Sequence, residues 1–170
     1  MRALRTVKNA MLSLFGLGVV WFGAVTLPHW IAHSDYKLFP LRMGNLRFVG
    51  WIPIVLGVAT ILWCYGMFVF VGDGTPWPFS PPRRLVVTGP YRLLRNPMES
   101  GFLLAVFGEM LLLESSALLL YLAFSFLVLY IRQVAFEEPI LRSRFGQAYE
   151  EYCGPVPRYV PLLRSGIEGE

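Results

Sequence analysis

Residues 97–136 read PMESGFLLAVFGEMLLLESSALLLYLAFSFLVLYIRQVAF. Two apolar runs, 97–113 and 117–136, are parted only by Glu114, Ser115 and Ser116. Three polar residues suffice for a tight helical turn and for little else, so the stretch reads as an antiparallel helical hairpin of membrane length. Two further apolar blocks lie upstream, at about 10–31 and 48–71. Apolar residues make up 55% of the 170-residue chain and charged residues 15%, and the mean hydropathy is positive. The fold class expected is therefore all-α and integral to the membrane, one domain over 1–170 with four transmembrane helices.

The first block follows Arg2, Arg5 and Lys8 like a signal peptide. Its apolar stretch is too long for a signal core and lacks a small-residue cleavage site, so it is expected to persist as a helix. Basic residues set the orientation. Arg2, Arg5 and Lys8, then Arg83, Arg84, Arg92 and Arg95, then Arg142, Arg144, Arg158 and Arg164 fall on one side of a four-span chain, and Glu114 on the other. Lys37, Arg42 and Arg47 in the first loop run against this assignment. Both termini are expected in the cytoplasm, with a bacterial inner membrane as the setting. The net charge of +4 suits an anionic leaflet, and no aromatic platform among the arginines suggests nucleic acid. Cys64 and Cys153 are too separated in the topology to pair, and His29 and His33 form no zinc motif, so no metal is expected.

Between the second and third spans, residues 72–82 hold four prolines. They forbid regular helix and read as a stiff surface connection anchored by Trp77 and Phe79. Pro97 suits the first turn of the third span, with Asn96 as its N-cap. Gly101 and Gly108 give that span a small face for close packing. After the fourth span Pro139 restarts or bends a helix, and apolar positions 140, 141, 145, 148, 149 and 152 predict a cytoplasmic amphipathic C-terminal helix, stopped by Gly154 and Pro155.

Carboxylates inside apolar runs are expensive and point to function. Glu99 and Glu109 lie in the third run, and Glu137 and Glu138 close the fourth. Neighbours on a helix diverge by about 100°, so one glutamate of the pair can face a pocket while the other meets Arg95, Arg132 or Arg142. A solvated helix end is the bland alternative. What favours a site is company: Arg92, Arg95, Glu137, Glu138 and Arg158 are all expected at one membrane surface.

Residues Gly89-Pro90-Tyr91-Arg92, Arg95-Asn96-Pro97-Met98 and Gly101 resemble the membrane-embedded methyltransferases of the isoprenylcysteine carboxyl methyltransferase and phospholipid N-methyltransferase type. So do Glu137-Glu138-Pro139, Leu141, Phe145-Gly146, Tyr149, Tyr152 and Val156-Pro157-Arg158, and the proline-rich entry from Gly74 to Val86. The resemblance covers the second half of the chain. It implies S-adenosylmethionine as cofactor and a lipophilic or amphiphilic acceptor, reached from the bilayer, whose carboxylate, amine or thiol is methylated. It places the cofactor between 85–101 and 132–161, with Tyr91, Arg92, Arg95, Asn96, Pro97, Glu99, Gly101, Glu137, Glu138, Tyr149, Tyr152 and Arg158 as binding residues and Arg95 and Glu138 as catalytic candidates. Two positions depart from the family: Asn96 where many members have histidine, and Glu99 where tyrosine is usual. The competing readings are a membrane reductase of sterol-reductase type using NADPH and a non-catalytic helical scaffold.

Overall fold

A computed structural model describes residue 11 and residues 15–34, 38–70 and 84–159. The proline-rich connection with Trp77 and Phe79 lies outside them, as do Arg2, Arg5, Lys8, Lys37, Arg83 and Arg164 of the orientation argument. Among the described residues all regular structure is helical. Among the described residues three helical runs are long and apolar enough to cross a membrane: Phe15–Ala32 (α1), Gly44–Phe68 and Ala117–Phe145. The second is a 3-10 turn, Gly44–Gly50, leading into α2, Trp51–Phe70. The chain is thus an integral membrane protein. The helix α3, Pro97–Leu112, holds 16 residues, about 24 Å at 1.5 Å per residue, which is short against a hydrocarbon core of about 30 Å.

α2 and α3 pack against each other through glycine. A Cβ on Gly57 would lie 2.4 Å from Gly101 O, and one on Gly50 would lie 2.5 Å from Gly108 O. Position 50 faces 108 and 57 faces 101, so the helices run antiparallel with backbones in direct contact, the small-residue packing that replaces hydrophobic drive in lipid. The hairpin turn is held from outside. Glu114, at φ +50°, accepts hydrogen bonds from Met43 N at 2.6 Å and Gly44 N at 3.0 Å. Ser116 Oγ accepts from Leu38 N and Phe39 N. These bonds compensate a left-handed backbone that a glutamate rarely adopts and tie the α1–α2 loop to the turn after α3 at one end of the bundle. At α1, a π turn over Phe22–Thr26 frees Gly23 O, which accepts from Tyr121 Oη at 2.7 Å.

α4, Ala117–Arg132, does not stop at 136. It passes through a π turn, Gln133–Glu137, into α5, Glu138–Phe145. Pro139 has no N–H for the carbonyl four residues back, and the wider turn before it absorbs the mismatch. The single helix expected across 140–152 is instead two, because Gly146 at φ +52° breaks it; α6 follows as Gln147–Cys153.

Candidate functional site

The end of the bundle opposite the hairpin turn is where α3 begins and where α5, α6 and the following strand of tail converge. Gly89–Arg92 forms a 3-10 turn whose Gly89 takes φ +60°. The tail docks on this turn through the backbone: Arg95 N donates to Pro157 O at 2.8 Å and Asn96 N to Arg158 O at 3.2 Å. Tyr152 Oη donates to Tyr91 O at 2.7 Å. The amides of Arg95 and Asn96, just before α3, are therefore spent on the tail and are not free donors for a ligand.

Above this seam lies a cavity of about 370 Å³, within the range of small-molecule and cofactor sites. Its walls come from residues 84–86, from the α3 entry and from the stretch between Arg132 and Tyr152. Two charge clusters flank it. Glu138, buried, accepts Arg158 Nε at 2.6 Å and Nη2 at 3.1 Å, and Arg95 Nη1 at 3.3 Å, with Arg142 Nη2 at 3.8 Å. Arg132 bonds Glu99 Oε1 and, at 2.9 Å, Glu137 Oε2, while Tyr159 Oη donates to Glu99 Oε2 at 2.9 Å. The first cluster sets three guanidinium groups around one carboxylate, the second two carboxylates around one guanidinium. The site is positive at one flank and negative at the other.

Outside the spanning helices the titrating groups are held in defined states. The hydrogen bond to Glu138 raises the Arg158 guanidinium further above its ordinary range. Burial raises the phenols of Tyr91, Tyr149, Tyr152 and Tyr159, for Tyr159 with the Glu99 charge adding to it, so all four stay neutral donors.

Among the described residues, the buried side-chain polar atoms without a hydrogen bond are Arg95 Nε, Asn96 Nδ2, Gln133 Oε1, Tyr149 Oη and Glu109 Oε2, and only the last belongs to a residue outside the cavity wall. Tyr149 still has the weakly accepting Cys153 thiol nearby, and Asn96 the Tyr159 phenol. Arg95 Nε and Gln133 Oε1 have no partner. Buried polar groups are paired as a rule, and an orphan costs about 1–3 kcal/mol. Donors and acceptors left open around one cavity describe a polar ligand site.

Of the residues expected from sequence, Tyr91, Arg95, Asn96, Glu99, Glu137, Tyr149 and Tyr152 line the cavity. Glu138 and Arg158 stand behind Arg95 as its anchor. Gly101 is turned to α2 and Arg92 is exposed. Asn96 occupies the N-cap position but its side chain does not cap; the residue lines the cavity, with Nδ2 buried near the Tyr159 phenol. Gln133 was missed. It is 1% exposed, and its signal was a lone amide in an apolar run, one helical turn before Glu137 and so on the same face. Among the described residues no group of three or more His, Cys, Asp or Glu side chains is placed to hold a metal ion.

The model of the phospholipid methyltransferase family matches residues 46–148. A probable protein-S-isoprenylcysteine O-methyltransferase of Oryza sativa is 32% identical over 87 residues, 50% of this chain and 44% of the relative. Protein-S-isoprenylcysteine O-methyltransferase B of Arabidopsis thaliana is 31% identical over 80 residues, 47% and 41% of the two chains. A cobalt-zinc-cadmium resistance protein of Cupriavidus metallidurans is 34% identical over 145 residues, 79% and 62%. The matched region thus spans less than half the length of the plant relatives.

Proposed function

Because the chain belongs to the phospholipid methyltransferase family, we propose that it is an S-adenosylmethionine-dependent methyltransferase that modifies a lipophilic or amphiphilic carboxylate, amine or thiol at the cytoplasmic membrane face. The observation that carries this reading is the pair of unpartnered buried polar atoms, Arg95 Nε and Gln133 Oε1, on residues that line one cavity between two oppositely charged clusters. The residues fit the group. The cofactor's amino-acid part is a zwitterion, and the cavity offers a cationic flank and an anionic one.

When bound, S-adenosylmethionine supplies an electrophilic methyl on a sulfonium. Arg95, fixed by Glu138 and Cys153, would hold a carboxylate through its open Nε. Gln133 Oε1 and Glu137 would accept from ammonium or ribose hydroxyl groups. Tyr149 and Tyr152, neutral phenols on the floor, and Phe136 at the wall keep bulk water from the reacting atoms. Because Arg158 clamps Glu138 and its own carbonyl accepts from Asn96 N, the tail closes the site from outside. Orientation of both partners in a dry, ordered chamber accounts for the rate gain.

In this reading α3 is a fourth span, shortened because both its ends are seated in protein. Residues 1–170 form one membrane domain, the site is built from 85–101 and 132–161, both termini face the cytoplasm of a bacterial inner membrane, and α5 and α6 lie at its surface. The test is thermal unfolding of the detergent-purified protein with S-adenosylmethionine, S-adenosylhomocysteine and NADPH. Stabilisation by the first two and not by NADPH supports the proposal; stabilisation by NADPH alone, or by none, refutes it.

A further inference from the structure

A second concavity, an apolar groove of about 460 Å³, runs between α3 and α4 and is lined by Leu103, Leu104 and Phe107 on one side and Leu119, Leu122 and Phe126 on the other. Both helices belong to the membrane part of the chain, so the groove opens to lipid tails. Tyr159 stands at its wall beside Ser100. The hydroxyl of Tyr159 donates to Glu99 Oε2, and Glu99 in turn lines the polar cavity. One hydrogen bond therefore joins the apolar groove to the polar chamber.

The charge at this junction is negative. Glu99 and Glu137 share Arg132, so this cluster sets two carboxylates against one guanidinium, while Arg84, Arg95 and Arg144 also line the cavity. Glu99 is 7% exposed, so its field is poorly screened by water. Its hydrogen-bond partner Tyr159 stands in a group of three rings, with the Phe126 and Tyr130 centroids 5.5 and 6.5 Å from its own. Apolar groove, aromatic faces and a buried carboxylate in sequence match an apolar chain ending in an alkylammonium head. They oppose a chain ending in a carboxylate.

We propose that Glu99 selects the acceptor, admitting amine-headed amphiphiles over carboxylate-headed ones, and serves as the base for them. This rests on the methyltransferase reading above. An ammonium arriving along the groove replaces the neutral Tyr159 hydroxyl at Glu99 Oε2 with a charged donor, the stronger of the two bonds. Glu99 takes one N–H proton and exposes the nitrogen lone pair. That pair forms the new N–CH₃ bond while the electrons of the breaking S–CH₃ bond return to sulfur. The product leaves as a methylated ammonium, S-adenosylhomocysteine remains, and the proton on Glu99 passes to water. A carboxylate acceptor needs no base and gains nothing from this group. The assignment departs from the O-methylation in the plant relatives' names.

The experiment follows tritiated methyl from S-adenosylmethionine to dodecylamine and, separately, to N-acetyl-S-farnesylcysteine, with the protein in phosphatidylcholine vesicles. S-adenosylhomocysteine binding is measured in parallel by calorimetry. The wild type methylates the amine in preference to the carboxylate. Glu99→Gln lowers amine transfer by roughly a hundredfold, the scale of general-base catalysis, and shifts the ratio toward the carboxylate. Glu99→Asp restores the amine preference in part; because Glu99 also belongs to the anionic flank of the cofactor cavity, transfer is compared at S-adenosylmethionine concentrations that saturate each variant, set from the S-adenosylhomocysteine calorimetry. A wild-type preference for the carboxylate overturns the proposal, as does an equal loss on both acceptors in Glu99→Gln while S-adenosylhomocysteine binding persists. A wild type that does not bind S-adenosylhomocysteine overturns the methyltransferase reading itself, and this one with it.

Discussion

Replacing Glu138 by glutamine tests the anchor of the site without changing its size. The carboxylate receives both Nε and Nη2 of Arg158, at 2.6 and 3.1 Å, and Nη1 of Arg95 at 3.3 Å. An amide keeps one acceptor and turns a donor toward a guanidinium, so the bidentate bond is lost and a like dipole faces it. Breaking a buried pair costs about 3–5 kcal/mol. Arg158 and Arg142, with side chains 36% and 49% exposed, recover part of this in solvent; Arg95, at 11%, cannot. The expected loss is about 2–3 kcal/mol, or roughly 4–12 °C in Tm for a chain of this size. With Arg95 no longer fixed, stabilisation by S-adenosylhomocysteine should vanish. Glu137→Gln is the control for stability alone: its side chain is 40% exposed and, among the described residues, pairs with the half-exposed Arg132, so its cost is below about 1 kcal/mol. Thermal scans with and without S-adenosylhomocysteine read both quantities. An unchanged Tm and an unchanged ligand shift in Glu138→Gln would refute the reasoning.

Three more outcomes follow from the same geometry. Gly57→Val puts a Cβ 2.4 Å from Gly101 O; forcing α2 and α3 apart costs about 1–3 kcal/mol or more, visible as a lower yield of monodisperse protein and a lower Tm than Gly18→Val, where nothing lies within 4 Å. Gln133→Leu removes a buried acceptor that has no partner, so stability should hold or rise while affinity for S-adenosylhomocysteine falls by roughly tenfold, about 1.4 kcal/mol in calorimetry. The third concerns alkali. Burial raises the phenols of Tyr91, Tyr149 and Tyr152, and an unfolded phenol ionises near pH 10. A folded value above the unfolded one means stability is intact below about pH 10 and is lost as pH climbs toward the folded values. Phenolate absorbance should therefore show a late class of tyrosines that ionises together with loss of helical circular dichroism, and full ionisation with the helices intact would contradict it.

The parts of this structure that local chemistry governs were legible in the residues. Pro97 opens α3 and the Glu114 turn ends it because proline and a short polar break leave the backbone few options. Gly101 and Gly108 announced a close helix contact, though their partners Gly50 and Gly57 did not, since pairing of distant small faces leaves no local mark. The broken C-terminal helix was missed for a related reason: Gly146 sits inside a sound helical pattern, and only its positive φ shows that the chain turns there. Arg95 and Glu138 were expected in one chamber and lie 3.3 Å apart. How the chamber is closed was not readable, because it depends on backbone bonds from Arg95 and Asn96 to the tail at Pro157 and Arg158. Asn96 looked like a cap by residue type, yet its side chain makes no cap bond and the residue lines the cavity. Gln133 carried no motif and became visible only through an acceptor that nothing meets.

The central claim is that residues 84–99 and 132–152 enclose the methyl donor together. Photochemical cross-linking of tritiated S-adenosylmethionine to the purified protein, followed by peptide mapping, measures this directly. Label should appear in peptides from both segments and be displaced by excess S-adenosylhomocysteine. Label confined to the opposite end of the bundle, around 38–44 and 113–116, or label that S-adenosylhomocysteine does not displace, would contradict the account.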